Sequence, residues 1–317
     1  MNHLPILYIV VPCYNEQEML PISNEQLTKF LKDLADETVI AQESRVMYVD
    51  DGSHDNTWEL ISEYANSNTY VTGVKLSANS GHQNALLAGL TTAKEYADIM
   101  VSIDADLQDD ISVIREMIKQ YKLGCDIVYG VRNKRTTDTW FKRTTALGFY
   151  KLMHTLGVKS VYNHADYRLM SRRAVEQLCQ YRERNLFLRG IVPLIGYKTA
   201  KVFYDRMERV AGESKYPLGK MLNFAVDGIT SFSVKPVRMI FFSGIIFLII
   251  SFLILIYVLY SLFTDKAVPG WSSLILSVWF VGGCILVAIG IIGEYIGKIY
   301  IETKDRPRYN IEETIIQ

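Results

Sequence analysis

The stretch Ile99-Met100-Val101-Ser102-Ile103-Asp104-Ala105-Asp106-Leu107-Gln108 decides how the rest of the chain is read. Its first five residues form a short apolar run, the pattern of a buried strand. Two carboxylates, Asp104 and Asp106, follow at i and i+2. At the carboxyl end of a strand they make a hard-oxygen site for a divalent cation. Mg²⁺ or Mn²⁺ takes one or two carboxylates and leaves its other positions to water and substrate phosphates. The spacing therefore points to phosphate chemistry, a sugar nucleotide included. A solvated turn has the same look, so the neighbouring segments decide between the two.

Residues 1 to 130 alternate strand-like and helix-like stretches around that motif. Strands are expected at Ile6–Val11, Val46–Val49, Val71–Leu76, Ile99–Ile103 and Ile127–Tyr129. Helices are expected at Glu16–Leu34, from a cap at Asp55 through Tyr64, at His82–Tyr96 and at Ile111–Leu123. This rhythm predicts an α/β fold with a doubly wound, mostly parallel sheet. Such sheets bind ligands at the carboxyl ends of their strands. Polar clusters stand at four of those ends: Pro12-Cys13-Tyr14-Asn15-Glu16, Asp50-Asp51-Gly52-Ser53, Ser77 to Gln83, and the Asp104/Asp106 pair. Four ends meeting on one rim outweigh the turn reading of any one of them.

Each cluster has a candidate task. Pro12 fixes the strand exit, and Tyr14 can stack on a base. Glu16 can bond a ribose or serve only the helix dipole. Asp50 and Asp51 can accept hydrogen bonds from base or ribose, and Gly81 permits a tight turn into the helix bearing His82 and Gln83, of which Gln83 is a candidate for the nucleotide sugar. No G-x-G-x-x-G follows the first strand and no G-x-x-x-x-G-K-[ST] occurs, so dinucleotide binding and P-loop hydrolysis lack their phosphate cradles.

The formal net charge is zero, which gives no hint of a nucleic-acid partner. The charge is unevenly spread. Met239 to Thr264 is uncharged for 26 residues, and Val268 to Gly293 for another 26. At ~1.5 Å per residue each is long enough to cross a ~30 Å hydrocarbon core. With only Asp265-Lys266-Ala267 between them, they predict a two-helix transmembrane hairpin over 236–297, a catalytic domain over 1–235 and a tail over 298–317. Lys235 and Arg238 before the first span, and Lys298, Lys304, Arg306 and Arg308 after the second, put both termini on the cytoplasmic side of an inner membrane. The short run Ile6 to Val11 is no secretory signal. Cys13, Cys125, Cys179 and Cys284 are scattered, which fits a reducing compartment and neither zinc nor disulfides.

Three segments in order, Val11-Pro12-Cys13-Tyr14-Asn15-Glu16, Val49-Asp50-Asp51-Gly52-Ser53-His54-Asp55-Asn56-Thr57 and Asp104-Ala105-Asp106-Leu107-Gln108-Asp109, resemble family 2 glycosyltransferases of the GT-A fold. Further on stand Gly130-Val131-Arg132, Asp166-Tyr167-Arg168-Leu169-Met170-Ser171 and Gly212-Glu213-Ser214-Lys215-Tyr216-Pro217-Leu218. With Gly293-Glu294-Tyr295-Ile296-Gly297-Lys298-Ile299-Tyr300, they narrow the resemblance to polyprenyl-phosphate glycosyltransferases. These include bacterial undecaprenyl-phosphate glucosyltransferases and are similar to dolichyl-phosphate mannose synthase. The chain departs from the resembled family at Asp109-Asp110-Ile111, where many relatives have Pro-Pro after the Gln-Asp, and this bears on local loop shape.

The resemblance implies a nucleotide-sugar donor, UDP-glucose first and UDP-N-acetylglucosamine or GDP-mannose as alternatives. It implies a polyprenyl phosphate as acceptor, a membrane bilayer as setting and Mg²⁺ or Mn²⁺ as cofactor. In the family the second Asp and the following Gln face the metal, here Asp106 and Gln108. Asp104 then holds metal or nucleotide, and Arg132 the phosphates. Asp166 matches the family position proposed as base. An acceptor phosphate with a second pKa of about 6 is already largely a dianion, so Asp166 has positioning of sugar or acceptor as its alternative role.

Direct attack inverts the anomeric centre. Trp140 to Leu156 and Leu218 to Phe232 read as interfacial helices. Lys142, Arg143, Arg209, Lys215 and Lys220 are candidates for phosphate or membrane contact. The resemblance leaves room for a homo-oligomer, and for a flippase and a downstream glycosyltransferase as partners in cell-envelope glycan modification. Two competing readings are a processive polysaccharide synthase and a non-catalytic membrane adaptor. The first lacks its Gln-x-x-Arg-Trp motif here, and the candidate site residues argue against the second.

Overall fold

The computed structural model describes residues 4–133, 164–184, 186–205 and 270–316, with scattered positions between 237 and 256. The chain begins as four strand–helix units: β1 (Leu7–Cys13), α1 (Leu20–Asp36), β2 (Arg45–Asp50), α2 (Thr57–Ser67), β3 (Val71–Leu76), α3 (His82–Ala93), β4 (Ile99–Ser102) and α4 (Ile114–Lys122). There follow β5 (Ile127–Arg132), β6 (His164–Ser171), α5 (Arg172–Cys179), the single turn α6 (Leu188–Ile191), β7 (Thr199–Tyr204), α7 (Trp271–Thr303) and β8 (Ile311–Ile315). One eight-stranded sheet runs in the order β7-β5-β6-β4-β1-β2-β3-β8.

The expected parallel half is present. β1 pairs in parallel with β2 and β4, and β2 with β3. All seven residues of β1 and all four of β4 are buried. That near-continuous apolar content is what a strand covered by helices on both faces requires. Gly89 of α3 lets the helix lie close, since a Cβ there would stand 2.4 Å from Val10 Cγ1 and 2.6 Å from Val49 Cγ2.

Three strands, β6, β7 and β8, were not foreseen from the sequence; β7 pairs in parallel with β5. β6 enters antiparallel between β4 and β5, so its first residues lie at the same rim as the last residues of β1 to β5. β8 adds antiparallel to β3 at the far edge, with Ser77 N donating to Asn310 O at 2.9 Å. The described residues from 306 onward thus belong to the compact unit of the sheet, together with 4–133, 164–184 and 186–205. The tail expected from residue 298 is instead helix as far as Thr303, then this strand.

Among the described residues one segment, Phe280–Thr303, is long and apolar enough to cross a bilayer, with a mean hydropathy of 1.9. The first span expected, 239–264, falls largely outside the described residues. The two interfacial helices, and with them Lys142, Arg143, Arg209, Lys215 and Lys220, lie outside them entirely.

Candidate active site

Strand register builds the centre of the site. Ser102 of β4 lies opposite Arg168 of β6. Continuing that antiparallel register two residues puts Asp104 opposite Asp166. The Ser102 hydroxyl donates to the Asp166 carbonyl oxygen and pins the two strands at this point. His82, the first residue of α3, brings Nε2 to 3.6 Å from Asp104 Oδ1, and both side chains are partly exposed. Burial raises the proton affinity of Asp104, and Asp166, Asp109 and Asp106 raise it further against the pull of His82.

The Asp104/Asp106 loop is held from beneath. Leu107 takes a positive φ of 48°, and Gln108 N donates to Asp106 Oδ1 at 3.3 Å. Asp109, the next residue, is buried and accepts from Tyr204 Oη at 2.7 Å and Arg132 Nη2 at 3.1 Å. Arg132 Nε also donates to Tyr204 Oη at 3.3 Å. Tyr167 Oη donates to the Asp110 carbonyl at 2.8 Å. So the ends of β5, β6 and β7 grip the residues following the carboxylate pair. Arg132, expected on substrate phosphate, holds this loop in the structure. Sequence reading passed over Tyr204 altogether.

On the other side of β4 the acidic turn after β2 supports a second loop. Asp51 accepts from Ser80 N at 2.7 Å and Gly81 N at 3.0 Å. Asp50 accepts from Ser53 N at 3.3 Å. Burial raises both carboxyls, and the backbone N–H groups oppose it. Gly52, with φ +67°, allows this close approach: a Cβ would stand 2.7 Å from Ala78 C and Asn79 N. Of this pair, expected on base or ribose, Asp51 uses its two oxygens to shape the Ser77–Gly81 loop.

Pro12 is the penultimate residue of β1, and Tyr14 is exposed at the rim, edge-on to His54 at 6.4 Å between ring centroids. Glu16 N donates to Thr57 Oγ1 at 2.9 Å. Gln83, expected on the nucleotide sugar, accepts from Leu188 N at 2.8 Å and fixes the start of α6.

α6 carries a residue the sequence reading did not single out. Arg189 donates through Nη2 to Asp166 Oδ2 at 3.0 Å and through Nε to Oδ1 at 3.4 Å. Arg168, almost wholly buried, donates to Asp166 Oδ1. Burial would raise the Asp166 carboxyl, but the two guanidiniums hold it well below the usual carboxylate range. An arginine within the apolar run Phe187-Leu188-Arg189-Gly190-Ile191 was the available signal.

The donor set fits a divalent cation shared with phosphates. Asp104 and Asp106 are partly exposed, and their mutual repulsion with Asp109 and Asp166 favours a positive charge beside them. Among the described residues no group of three or more His, Cys, Asp or Glu forms a closed metal cage. A Mg²⁺-type ion needs none when substrate phosphates complete its shell.

A GT-A sheet with a carboxylate pair at its rim defines a class of enzyme, and comparison with known proteins agrees. The model of glycosyl transferase family 2 matches residues 8–179, and the chain belongs to this family of glycosyltransferases. It is 56% identical over 308 residues to the uncharacterized glycosyltransferase YkoT of Bacillus subtilis, covering 97% of this chain and 91% of that one. It is 39% identical to a prophage bactoprenol glucosyl transferase homolog of Escherichia coli, covering 96% and 97%. Against the bactoprenol glucosyl transferase of Shigella phage SfX it is 40% identical, covering 96% and 98%.

Proposed function

We propose that this enzyme transfers glucose, with inversion, from a nucleotide sugar to a polyprenyl phosphate at a membrane. The observation that carries this reading is similarity over nearly the whole length, apolar C-terminal part included, to proteins named bactoprenol glucosyl transferases. UDP-glucose is the donor we propose, with UDP-N-acetylglucosamine and GDP-mannose as the alternatives.

Asp104 and Asp106 would hold Mg²⁺ or Mn²⁺, which when bound neutralises charge on the departing nucleoside diphosphate. Pro12, Tyr14, Glu16 and the loop shaped by Asp51 would seat the nucleoside, and Gln108 would complete the metal side. Asp109, Tyr204 and Arg132 keep the carboxylate loop in place. Arg143, Arg209, Lys215 and Lys220 are the cations proposed for the acceptor approach.

We also propose two spans with both termini cytoplasmic. The chain leaves the sheet after β7 and rejoins it at β8. That return supports an even number of crossings in between, and Phe280–Thr303 accounts for one. Homo-oligomerisation, and hand-over to a flippase and a downstream glycosyltransferase of the cell envelope, are parts of the same proposal.

The test is a screen of nucleotide sugars with full-length protein, Mg²⁺ or Mn²⁺ and a short polyprenyl phosphate, scored for lipid-linked product. UDP-glucose should give the highest kcat/KM. Absence of lipid-linked product with every donor would overturn the reading.

A further inference from the structure

Asp166 stands where a base would be sought, but its surroundings suit another task. Both carboxylate oxygens accept from guanidiniums: Oδ1 from Arg168 and Arg189, Oδ2 from Arg189 at 3.0 Å. To take a proton it would have to give up a charge-assisted hydrogen bond, the strong kind. The two cations differ in access. The Arg168 side chain is 2% exposed and the Arg189 side chain 37%. Arg189 therefore presents the solvent-facing end of this cluster. Its turn of helix is fixed by Leu188 N donating to Gln83 Oε1 at 2.8 Å, beside His82 and Asp104. A planar guanidinium suits a phosphate.

Resting on the acceptor assigned above, we propose that Asp166 is an anchor rather than a proton acceptor. The Arg189 it holds receives the acceptor's phosphate, which attacks as its own nucleophile. One oxygen of the phosphate dianion forms the bond to the anomeric carbon. The bond from that carbon to the nucleoside diphosphate breaks, and its electron pair leaves with the diphosphate. The dianion becomes a monoanionic diester and the donor dianion becomes a nucleoside diphosphate trianion. Charge balances with no proton taken or released, so the step calls for no base.

The experiment is the pH profile of kcat/KM for the acceptor, with full-length protein, on a polyprenyl phosphate and on its phosphonate analogue, which ionises at higher pH. Wild type should gain activity through about pH 6 with the phosphate, and the limb should move up with the phosphonate. Asp166→Asn should lower the rate yet keep the same limb. Arg189→Gln should raise the acceptor KM about tenfold with the donor KM within about twofold, and Arg189→Lys should recover part of the loss.

A limb that ignores the change of acceptor, or that vanishes in Asp166→Asn, would return the proton to Asp166 and overturn the inference. An equal rise in both KM values for Arg189→Gln would overturn the placement of the acceptor. If Asp166→Asn does not fold, the phosphonate comparison on wild type and the Arg189 variants decide. A wild type that makes lipid-linked product but has a fixed limb defeats this inference alone. A wild type that makes none defeats the proposed function as well.

Discussion

Asp51 and Asp166 flank the same rim, and each commits both carboxylate oxygens to the protein. Asp51 accepts from two neutral backbone N–H groups, Asp166 from two guanidiniums. Burial pushes both toward the protonated form. Neutral donors do not overcome it, and Asp51 ends above the usual carboxylate range. Cationic donors do, and Asp166 ends well below it. The charge of the donor, more than depth of burial, thus sets what a carboxylate in this site can do. Asp51 shapes a loop and Asp166 stays charged. Asp106, partly exposed on the neighbouring loop, is a third kind, the one proposed above for the metal.

The largest effect should come from that third kind. Asp106→Ala should lower turnover at least about 100-fold, because it removes charge from where diphosphate departure must be stabilised. Thermal unfolding in detergent should change little. Excess chelator should act on wild type as the substitution does. Undiminished turnover under chelation would remove the metal from the mechanism, and a large loss of stability in Asp106→Ala would erase its contrast with Asp51 and Asp166.

Next in size are the stability effects of the two held carboxylates. Asp166→Ala leaves buried Arg168 without its partner, a change of about 3–5 kcal/mol for a buried ion pair. Arg189, over a third exposed, keeps part of its hydration and adds less. Asp51→Ala orphans two backbone donors, at about 1–3 kcal/mol. Thermal or denaturant unfolding of the full-length variants ranks them, and equal losses would break the comparison.

Acidity should separate them further. Asp166 has a depressed folded pKa, so its stabilisation is present above the unfolded value of about 3.9 and lost as pH falls below it. Asp51 has a raised one, so its term favours folding at low pH and is lost as pH rises through the folded value. The gap between wild type and Asp166→Asn should therefore close below about pH 4.

The parallel half of this contrast was legible in the sequence. Apolar runs ending in polar clusters at Cys13, Asp50, Leu76 and Ser102 reveal strands, because strands covered on both faces must be apolar throughout. The guanidinium-held half was not. β6 places Tyr167 and Leu169 in the core and buries Arg168 on its other face. A strand with Asp166 and Arg168 on one face reads as polar until the partner, 23 residues beyond Asp166 in the chain, is known. β8 was illegible for the opposite reason. Ile311 to Thr314 are exposed, so its pairing rests on backbone hydrogen bonds that leave no apolar pattern. Asp51 and Gln83 were found as site residues, but their occupation by Ser80, Gly81 and Leu188 depends on contacts no spacing encodes.

The smallest effect extends the comparison to an ion pair at the surface. Lys75 Nζ lies 3.3 Å from Glu312 Oε1 across the β3–β8 pair, with side chains 27% and 51% exposed. Water screens both charges, so Glu312→Gln should shift stability by about 0.2–1 kcal/mol, less at high salt. The strand itself should be worth more. β8 covers the edge of β3 with main-chain bonds from Gly73 to Leu76, and Arg308 donates to the Tyr181 carbonyl beside it. Truncation after residue 305 should therefore destabilise the sheet far beyond Glu312→Gln. It should also weaken donor binding, because β3 leads directly into the Ser77–Gly81 loop that Asp51 holds. Unfolding curves at low and high salt, with nucleotide titrations on the same variants, measure both. A Glu312→Gln loss as large as that of Asp166→Ala would mean that burial does not separate these pairs. A truncation no worse than Glu312→Gln would mean that β8 contributes only its charge.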